Sequence, residues 1–312
     1  MLIPIIILFI VFLPRCVDDE LHRNRFEEWL DHEKEEYTGS ISVWHVVGFR
    51  PYIGSIGNII KDAAKSVEKR HFGVYITVTA LSAEDAVQRM ANGEFPDALS
   101  FPAGFIDESR LRAFTEDETA GFERLADLSG GELNSVIYAL PFTASCELVM
   151  YCQSKVSSDE IDIEQAEQNS LEDFKKGSVS CCVADARAVG DLMRKVLAGK
   201  ADYFDVLPLD RGSKLVQYLG ISRDCEEVKI PYINELFSGL FSEKKQKELC
   251  ELGLYPLARE AELVYEQQFL SEAYEMLRQR NDFIGFAGRE LIFPKSVFTS
   301  SYFGSKIYLD KY

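Results

Sequence analysis

The sequence lacks most of the short signatures that announce catalysis. It has no HExxH pair, and its four histidines, His22, His32, His45 and His71, stand at no zinc-ligand spacing, so neither a metal nor a zinc-hydrolase role is expected. No GxGxxG follows the first strand pattern, which removes the main signal of a dinucleotide fold, and no cofactor is expected. The stretch Gly48-Phe-Arg-Pro-Tyr-Ile-Gly54 carries neither the lysine nor the spacing of a phosphate loop. There is no GxSxG elbow to place a nucleophilic serine. Basic residues are scarce: 34 Lys and Arg face 51 Asp and Glu, a formal charge of −17. A surface of that sign is poorly suited to neutralising phosphates, so no nucleic-acid partner is expected. Seven cysteines are too few and too scattered for a disulfide scaffold; Cys181 and Cys182 are adjacent, and no CxxC accompanies them. Buried free thiols are the expectation.

What is present is enough apolar material for a large core. A 312-residue chain that is 46% hydrophobic supports one large or two medium domains. Residues 1–14 are uncharged and too few to span a bilayer, which takes roughly 20 apolar residues. They suit the apolar part of an export signal, the alternative being a buried first strand or short core helix. The run Leu13-Pro14-Arg15-Cys16 resembles, at Leu13 and Cys16, the site where bacterial lipoproteins are cleaved and lipidated. That resemblance makes residues 1–16 a leader and Cys16 a lipid-attachment site; ordinary cleavage or an inert cysteine is the alternative. Residues 17–38 are acidic, free of Pro until the first strand, and read as a tether with some helix.

Beyond residue 39 the pattern alternates between period 2 and period 3.6. Residues 40–45 and 74–79 alternate as strands, and residues 98–101 make a third. Ile56, Ile59, Ile60, Ala63, Ala64 and Val67 recur at helical spacing, with Pro51 placed for a first turn. Ser82 and Asp85 form an imperfect capping box before a helix over 83–91. Strand, helix, strand, helix, strand predicts parallel βαβ units. Further strands are expected at 136–142, ending in a proline bend at Pro141, and at 147–152, 179–184, 204–209 and 215–221. Asp185 is placed to cap a helix over 189–197. Helices are expected at 232–241, 243–252 and 258–280. The aromatic tail from 281 is expected to pack rather than dangle.

Several of these stretches together resemble the extracellular solute-binding proteins of ABC importers, in the class that binds sugars. They are Ile41-Ser-Val-Trp-His45, then Ile76-Thr-Val-Thr-Ala-Leu-Ser-Ala-Glu-Asp-Ala86 with Gly93-Glu-Phe-Pro-Asp97, then Tyr138-Ala-Leu-Pro141. Leu236-Phe-Ser-Gly-Leu-Phe-Ser-Glu-Lys-Lys-Gln246 and Gly253-Leu-Tyr-Pro256 follow, and Asp185-Ala-Arg187 with Gly190-Asp191 resembles part of a second lobe. The match covers about residues 40–258. It implies an α/β, two-lobed periplasmic-binding-protein-like fold (type II), each lobe a mixed, mostly parallel sheet flanked by helices. Lobe one would hold residues 39–140 and 221–258, and lobe two 141–220 and 259–312. It also implies a monomer outside the cytoplasm that closes on a small polar solute and meets ABC permease subunits in the membrane.

Ligands of open α/β sheets bind beyond the carboxyl ends of the strands. On that rule Trp44, His45 and Arg50 after the first strand are candidates, with Phe101 after the third. Tyr138, Phe142 and Thr143 lie near the hinge, Arg187 follows a strand in the second lobe, and Tyr218 lies on the returning crossing. Aromatic planes suit the C–H faces of a sugar and arginines suit its hydroxyls or an anion. For each, core packing, a salt bridge or local bonding is the alternative, and Asp97 is read as a residue that fixes the turn after Pro96. An enzyme is not expected, a hydrolase being the form it would take. The other alternative is a sensory or interaction protein that keeps the two-lobed scaffold without transport.

Overall fold

The computed structural model describes residues 37–209, 213, 215–280 and 283–287. The leader, Cys16, the acidic stretch to residue 36 and the tail from 288 lie outside the described residues. The chain divides into two units, Met1–Thr38 and Gly39–Tyr312, and every strand and helix named below belongs to the second.

Two sheets organise that unit. The larger has six strands in the order β11-β6-β10-β3-β1-β2. These are β1 (Gly39–Val46), β2 (Val74–Leu81), β3 (Ala98–Pro102), β6 (Leu140–Ala144), β10 (Val216–Ile221) and β11 (Tyr255–Pro256). β1 pairs in parallel with β2 and with β3. β10 runs antiparallel to both of its neighbours, β3 and β6. The composition follows position: β3 and β10 are central and buried at every residue, while β2, at the edge, alternates buried Val74, Ile76 and Val78 with exposed Tyr75 and Thr77. The crossovers are helical. α1 (Ile56–Glu68) buries Ile56, Ile59, Ile60, Ala63, Ala64 and Val67 along one stripe. α2 (Ala83–Ala91) starts at Ser82, whose hydroxyl accepts from the Asp85 amide at 3.1 Å.

The smaller sheet has the order β8-β7-β9: β7 (Glu147–Tyr151), β8 (Cys181–Asp185) and β9 (Asp205–Pro208). Both of its pairings are antiparallel, so the expected mixed sheet describes the larger half, where two pairings are parallel and three antiparallel. The helices α4 (Ile163–Gln168) and α5 (Leu171–Lys175) lie between β7 and β8 and pack on β8, returning the chain against its own direction. Asp185 caps α6 (Ala186–Leu197), accepting from the Ala188 amide at 2.7 Å. That helix begins three residues before the periodic apolar positions suggest. A short ribbon, β4 (Glu132–Leu133) with β5 (Val136–Ile137), and helix α3 (Glu116–Glu123) stand between β3 and β6. α7 (Ile230–Leu240), α8 (Glu243–Glu251) and α9 (Gln268–Arg280) complete the unit.

Three local expectations are corrected. Pro51 is not in a helix; α1 starts at Ile56 after Ser55, and residues 47–55 form a loop. Pro141 does not end a strand. It lies inside β6, at the point where the register against β10 shifts between Gln217 and Tyr218, and an irregularity of that kind tolerates a missing donor. Residues 258–267 are not helical. Arg259 donates its amide to the Leu125 carbonyl at 2.8 Å and its Nε to the Ala126 carbonyl at 3.2 Å, while Tyr265 reaches the Leu254 carbonyl at 2.9 Å. These tertiary bonds override a helical pattern. The six described cysteines, Cys146, Cys152, Cys181, Cys182, Cys225 and Cys250, are free, and only Cys152 is not fully buried. Burial raises the Cys146 thiol to about 12, so it is an inert core residue.

Asp97 holds the end of the turn after Pro96 to three neighbours. Its carboxylate accepts from the Ser42 amide at 2.7 Å, from the Ser42 hydroxyl at 3.0 Å and from Lys229 Nζ at 3.0 Å. Its carbonyl accepts from the Ser222 amide at 3.0 Å. The Asp97 and Lys229 side chains are 15% and 13% exposed, so breaking the pair leaves a largely buried ammonium with Glu226 at 2.9 Å in place of two carboxylates and takes the acceptor from Ser42. Asp97→Ala should therefore lower the unfolding free energy by about 3 kcal/mol, and Asp97→Asn by less because one amide acceptor remains for Ser42. Urea unfolding of both variants checks the order.

Candidate ligand site at the strand ends

The strand directions bring one edge of the larger sheet to the smaller sheet. Because β1, β2, β3 and β6 run the same way, Val46, Leu81, Pro102 and Ala144 all end at that edge, and antiparallel β10 begins there. Two crossings leave from it. Ser145 and Cys146 alone separate β6 from β7, and residues 209–215 lead from β9 back to β10. The Ser145 amide donates to the Leu215 carbonyl at 2.8 Å, and the Ser213 hydroxyl to the Ser145 carbonyl at 2.6 Å, so the crossings are bonded to each other. The loops after β1 and β3 are pressed together there: a Cβ on Gly48 would lie 2.2 Å from Pro102 Cβ.

On one face of this sheet lies a buried polar chain. His45 and Ser100 occupy facing positions on β1 and β3, and His45 Nδ1 is 3.1 Å from Ser100 Oγ. Gln217 Nε2, on β10, donates to Ser100 Oγ at 3.0 Å and to the Val46 carbonyl at 3.0 Å. Ser100, accepting from Gln217, has its own proton for a neutral His45 Nδ1. Burial pushes the imidazole down to about 4, with Lys61 adding repulsion.

The opposite face is aromatic. Phe101 and Tyr218 stack at 6.2 Å and both are fully buried. Phe286 meets Tyr218 at 6.2 Å and Tyr138 at 6.3 Å, and Phe283 stacks on Tyr255 at 5.7 Å. The backbone between these two phenylalanines is fastened to the strand ends. The Gly104 amide donates to the Phe286 carbonyl at 2.8 Å, and the Phe286 amide to the Gly130 carbonyl at 2.9 Å. The Ile284 amide donates to the Ser213 carbonyl at 3.2 Å, and the Tyr218 hydroxyl to the Ile284 carbonyl at 2.6 Å. Gly130 admits this arrangement, since a Cβ there would lie 2.6 Å from the Tyr218 hydroxyl. Burying Phe286 contributes about 2 kcal/mol, and its ring pairs about 0.5–1.5 kcal/mol each.

The predicted residues thus separate into groups. Phe101, Tyr218 and half-buried Tyr138 surround Phe286. His45 faces α1, where a Cβ on Gly57 would approach its ring. Trp44 is buried against Phe95 at 6.4 Å, with the Arg89 guanidinium 5.9 Å from its ring centre. Phe142 belongs to another ring series, meeting Phe241 at 6.1 Å. Thr143 is buried and donates to the Tyr255 carbonyl at 2.9 Å. Two cationic candidates retain solvent access. Arg50 is exposed on the loop after β1 and makes no ion pair among the described residues. Arg187, in the first turn of α6, lies 3.4 Å from Asp191 and its buried Nε makes no hydrogen bond. Two cavities lie elsewhere and are lined by none of these residues. One, of about 290 Å³, lies between Arg124, Phe241 and Glu262; the other, of about 850 Å³, includes Lys155, Lys175, Lys195 and Lys200 in its walls.

Sequence reasoning missed Tyr52. It lies on the loop after β1 yet packs on the helix of the smaller half: a Cβ on Gly190 would lie 2.7 Å from its ring, its hydroxyl reaches Met193 Sδ at 3.9 Å, and Arg194 is 6.0 Å from its ring centre. The Gly48–Gly54 turn and the Gly190–Asp191 pair were its only sequence signals. Phe286 is one aromatic among many in the tail, and nothing in its spacing distinguishes it.

No protein-family model matches the chain, and no curated protein sequence matches it. Solved structures do. The maltodextrin-binding protein MalE1 from L. casei BL23, without ligand, has a TM-score of 0.59 at 11% identity, covering 84% of this chain and 90% of that one. The maltose/maltodextrin-binding domain MalE from Bdellovibrio bacteriovorus, bound to maltotriose, has 0.54 at 12%, covering 80% and 90%. The Trichodesmium protein IdiA (FutA), in complex with iron and citrate, has 0.56 at 10%, covering 77% and 99%. This chain has the two-lobed α/β fold of periplasmic binding proteins.

The buried imidazole gives this region a pH signature. His45 titrates near 4 when folded and near 6.5 when unfolded, so the unfolded chain takes up the proton first. Its contribution is complete above about pH 6.5 and is lost as pH falls toward 4, a total of about 3 kcal/mol. Wild type should lose more stability than His45→Gln over that interval, measured by urea unfolding at successive pH values.

Proposed function

We propose that this protein binds a small polar solute between its two sheet-bearing halves, outside the cytoplasm, and delivers it to an ABC-type permease. The observation that carries this reading is the shared fold: the solved structures named above are a maltodextrin-binding protein, a maltose/maltodextrin-binding domain and a protein in complex with iron and citrate, and they match over most of their length. Maltotriose in one and iron with citrate in another make sugars and anionic chelates the two solute classes to test. Arg50 on the larger half and Arg187 on the smaller supply donors suited to hydroxyl or carboxylate oxygens. The protein acts as a monomer in this account, anchored through a lipid on Cys16 where the leader is cleaved, and it is a binding protein rather than an enzyme. Closure would be a hinge motion at the two crossings, selected by contacts to both halves, with Tyr52 seated on Gly190 when closed.

A second reading has its own support. The Phe283–Phe286 segment fills the aromatic side of the strand-end region, and a resident occupant suits a sensory or interaction protein that has no transport role. Its sugar, or other solute, would then be a signal.

A thermal-shift screen of the full chain against maltotriose, maltotetraose and ferric citrate separates these outcomes from no binding. A solute at about a hundredfold excess over its Kd stabilises by about 2.7 kcal/mol, or roughly 5 °C for a chain of this size. At least one probe should give such a shift, and Arg187→Ala should reduce it at equal concentration. A flat screen with a cooperatively melting sample would reject the solute-binding account. Gly190→Trp, which displaces Tyr52 from its seat, should weaken the same response and, because that contact is already made in the free protein, should also lower its melting temperature.

A further inference from the structure

The four hydrogen bonds that hold residues 283–286 among the described residues all use main-chain atoms of the segment. They come from four separate places: Gly104 after β3, Gly130 before the β4–β5 ribbon, Ser213 before β10, and Tyr218 on β10. Ser213 and Phe283 pair as an isolated parallel bridge and Phe286 lies in a turn, so the segment is held through its main chain without joining a sheet. Side-chain selection is left to two ring sockets. Tyr255 takes Phe283, and Tyr138 with Tyr218 takes Phe286. Main-chain bonds plus side-chain sockets is how a protein reads a peptide segment, and here the peptide is its own. The segment follows α9 closely, since Arg280 ends that helix.

We propose that Phe283–Phe286 is a resident peptide ligand of the strand-end site, and that an external solute gains the site only when this segment leaves. The inference rests on the strand-end site of the solute-binding reading. A tether this short keeps the segment at millimolar effective concentration, and the share of molecules with an open site scales the apparent affinity of any competitor.

The test uses the full chain carrying Phe283→Ala and Phe286→Ala, and a fluorescein-labelled synthetic peptide of residues 281–288. The double variant should bind the peptide saturably, and wild type at least tenfold more weakly because its own segment competes. A peptide with both phenylalanines replaced by alanine should not bind. Equal binding by the two proteins, or none by a double variant that melts cooperatively, would overturn the proposal. Should the double variant fail to fold, hydrogen exchange on wild type decides. The Gly104 and Phe286 amides should exchange together, at least 100-fold faster than the amides of β1 and β3; exchange at the rate of those strands makes the segment ordinary core and rejects the proposal. The same double variant, screened with maltotetraose and ferric citrate, separates this inference from its premise. A solute shift without peptide binding rejects the resident ligand alone, and peptide binding without any solute shift rejects the solute reading alone.

Discussion

The antiparallel pairing of β10 with β3 and β6 is the constraint on which the rest depends. It closes the gap between a parallel β2-β1-β3 unit and the β6–β11 edge, and its direction puts the start of β10 at the same edge as the ends of β3 and β6. Both crossings to the smaller sheet must therefore leave from one place. The two faces of this single strand then carry different chemistry. Gln217 completes the His45–Ser100 chain, and Tyr218 forms the aromatic floor under Phe286. Period-2 alternation is what keeps the polar chain and the aromatic floor on opposite sides.

The site region inherits its character from that edge. Strand ends present unpaired main-chain groups, and those groups need partners once buried. Gly104, Gly130 and Ser213 find theirs in the backbone of residues 284 and 286. On the reading proposed above, a solute would use the same donors and acceptors. A resident segment therefore has a structural role, satisfying the buried edge, and a functional consequence, competition. Tyr52 supplies a further contact between the halves, beside that of α9 with β9 and Tyr255, and it depends on a missing side chain at Gly190.

Much of the larger half was legible in the sequence because local signals agreed with tertiary need. The stripe from Ile56 to Val67, the Ser82 cap and the alternation in β2 each stated their own structure, as the Asp185 cap did in the smaller half. The errors came where distant backbone decided. The segment after Ala258 has helical spacing, yet Leu125 and Ala126 bind Arg259 and hold the chain in a turn instead of a helix. Pro141 signals a stop, yet a register shift on β10 accommodates it. At the site, alternation identified Trp44 and His45 as lying on opposite faces but could not say that both faces are covered. Phe286 was not distinguishable because its importance comes from Gly104, more than 150 residues earlier in the chain, and no periodicity reports a partner at that separation.

The central claim is that solute and Phe286 contend for the strand ends between the two halves. A crystal structure of the full chain grown with whichever probe, maltotriose, maltotetraose or ferric citrate, stabilises it most is the direct measurement. The account predicts solute density against Gly104 and Arg187, with the Phe286 ring withdrawn from Tyr138 and Tyr218. Solute bound only in the lysine-lined cavity of the smaller half, with Phe286 still bonded to Gly104 and Gly130, would contradict it.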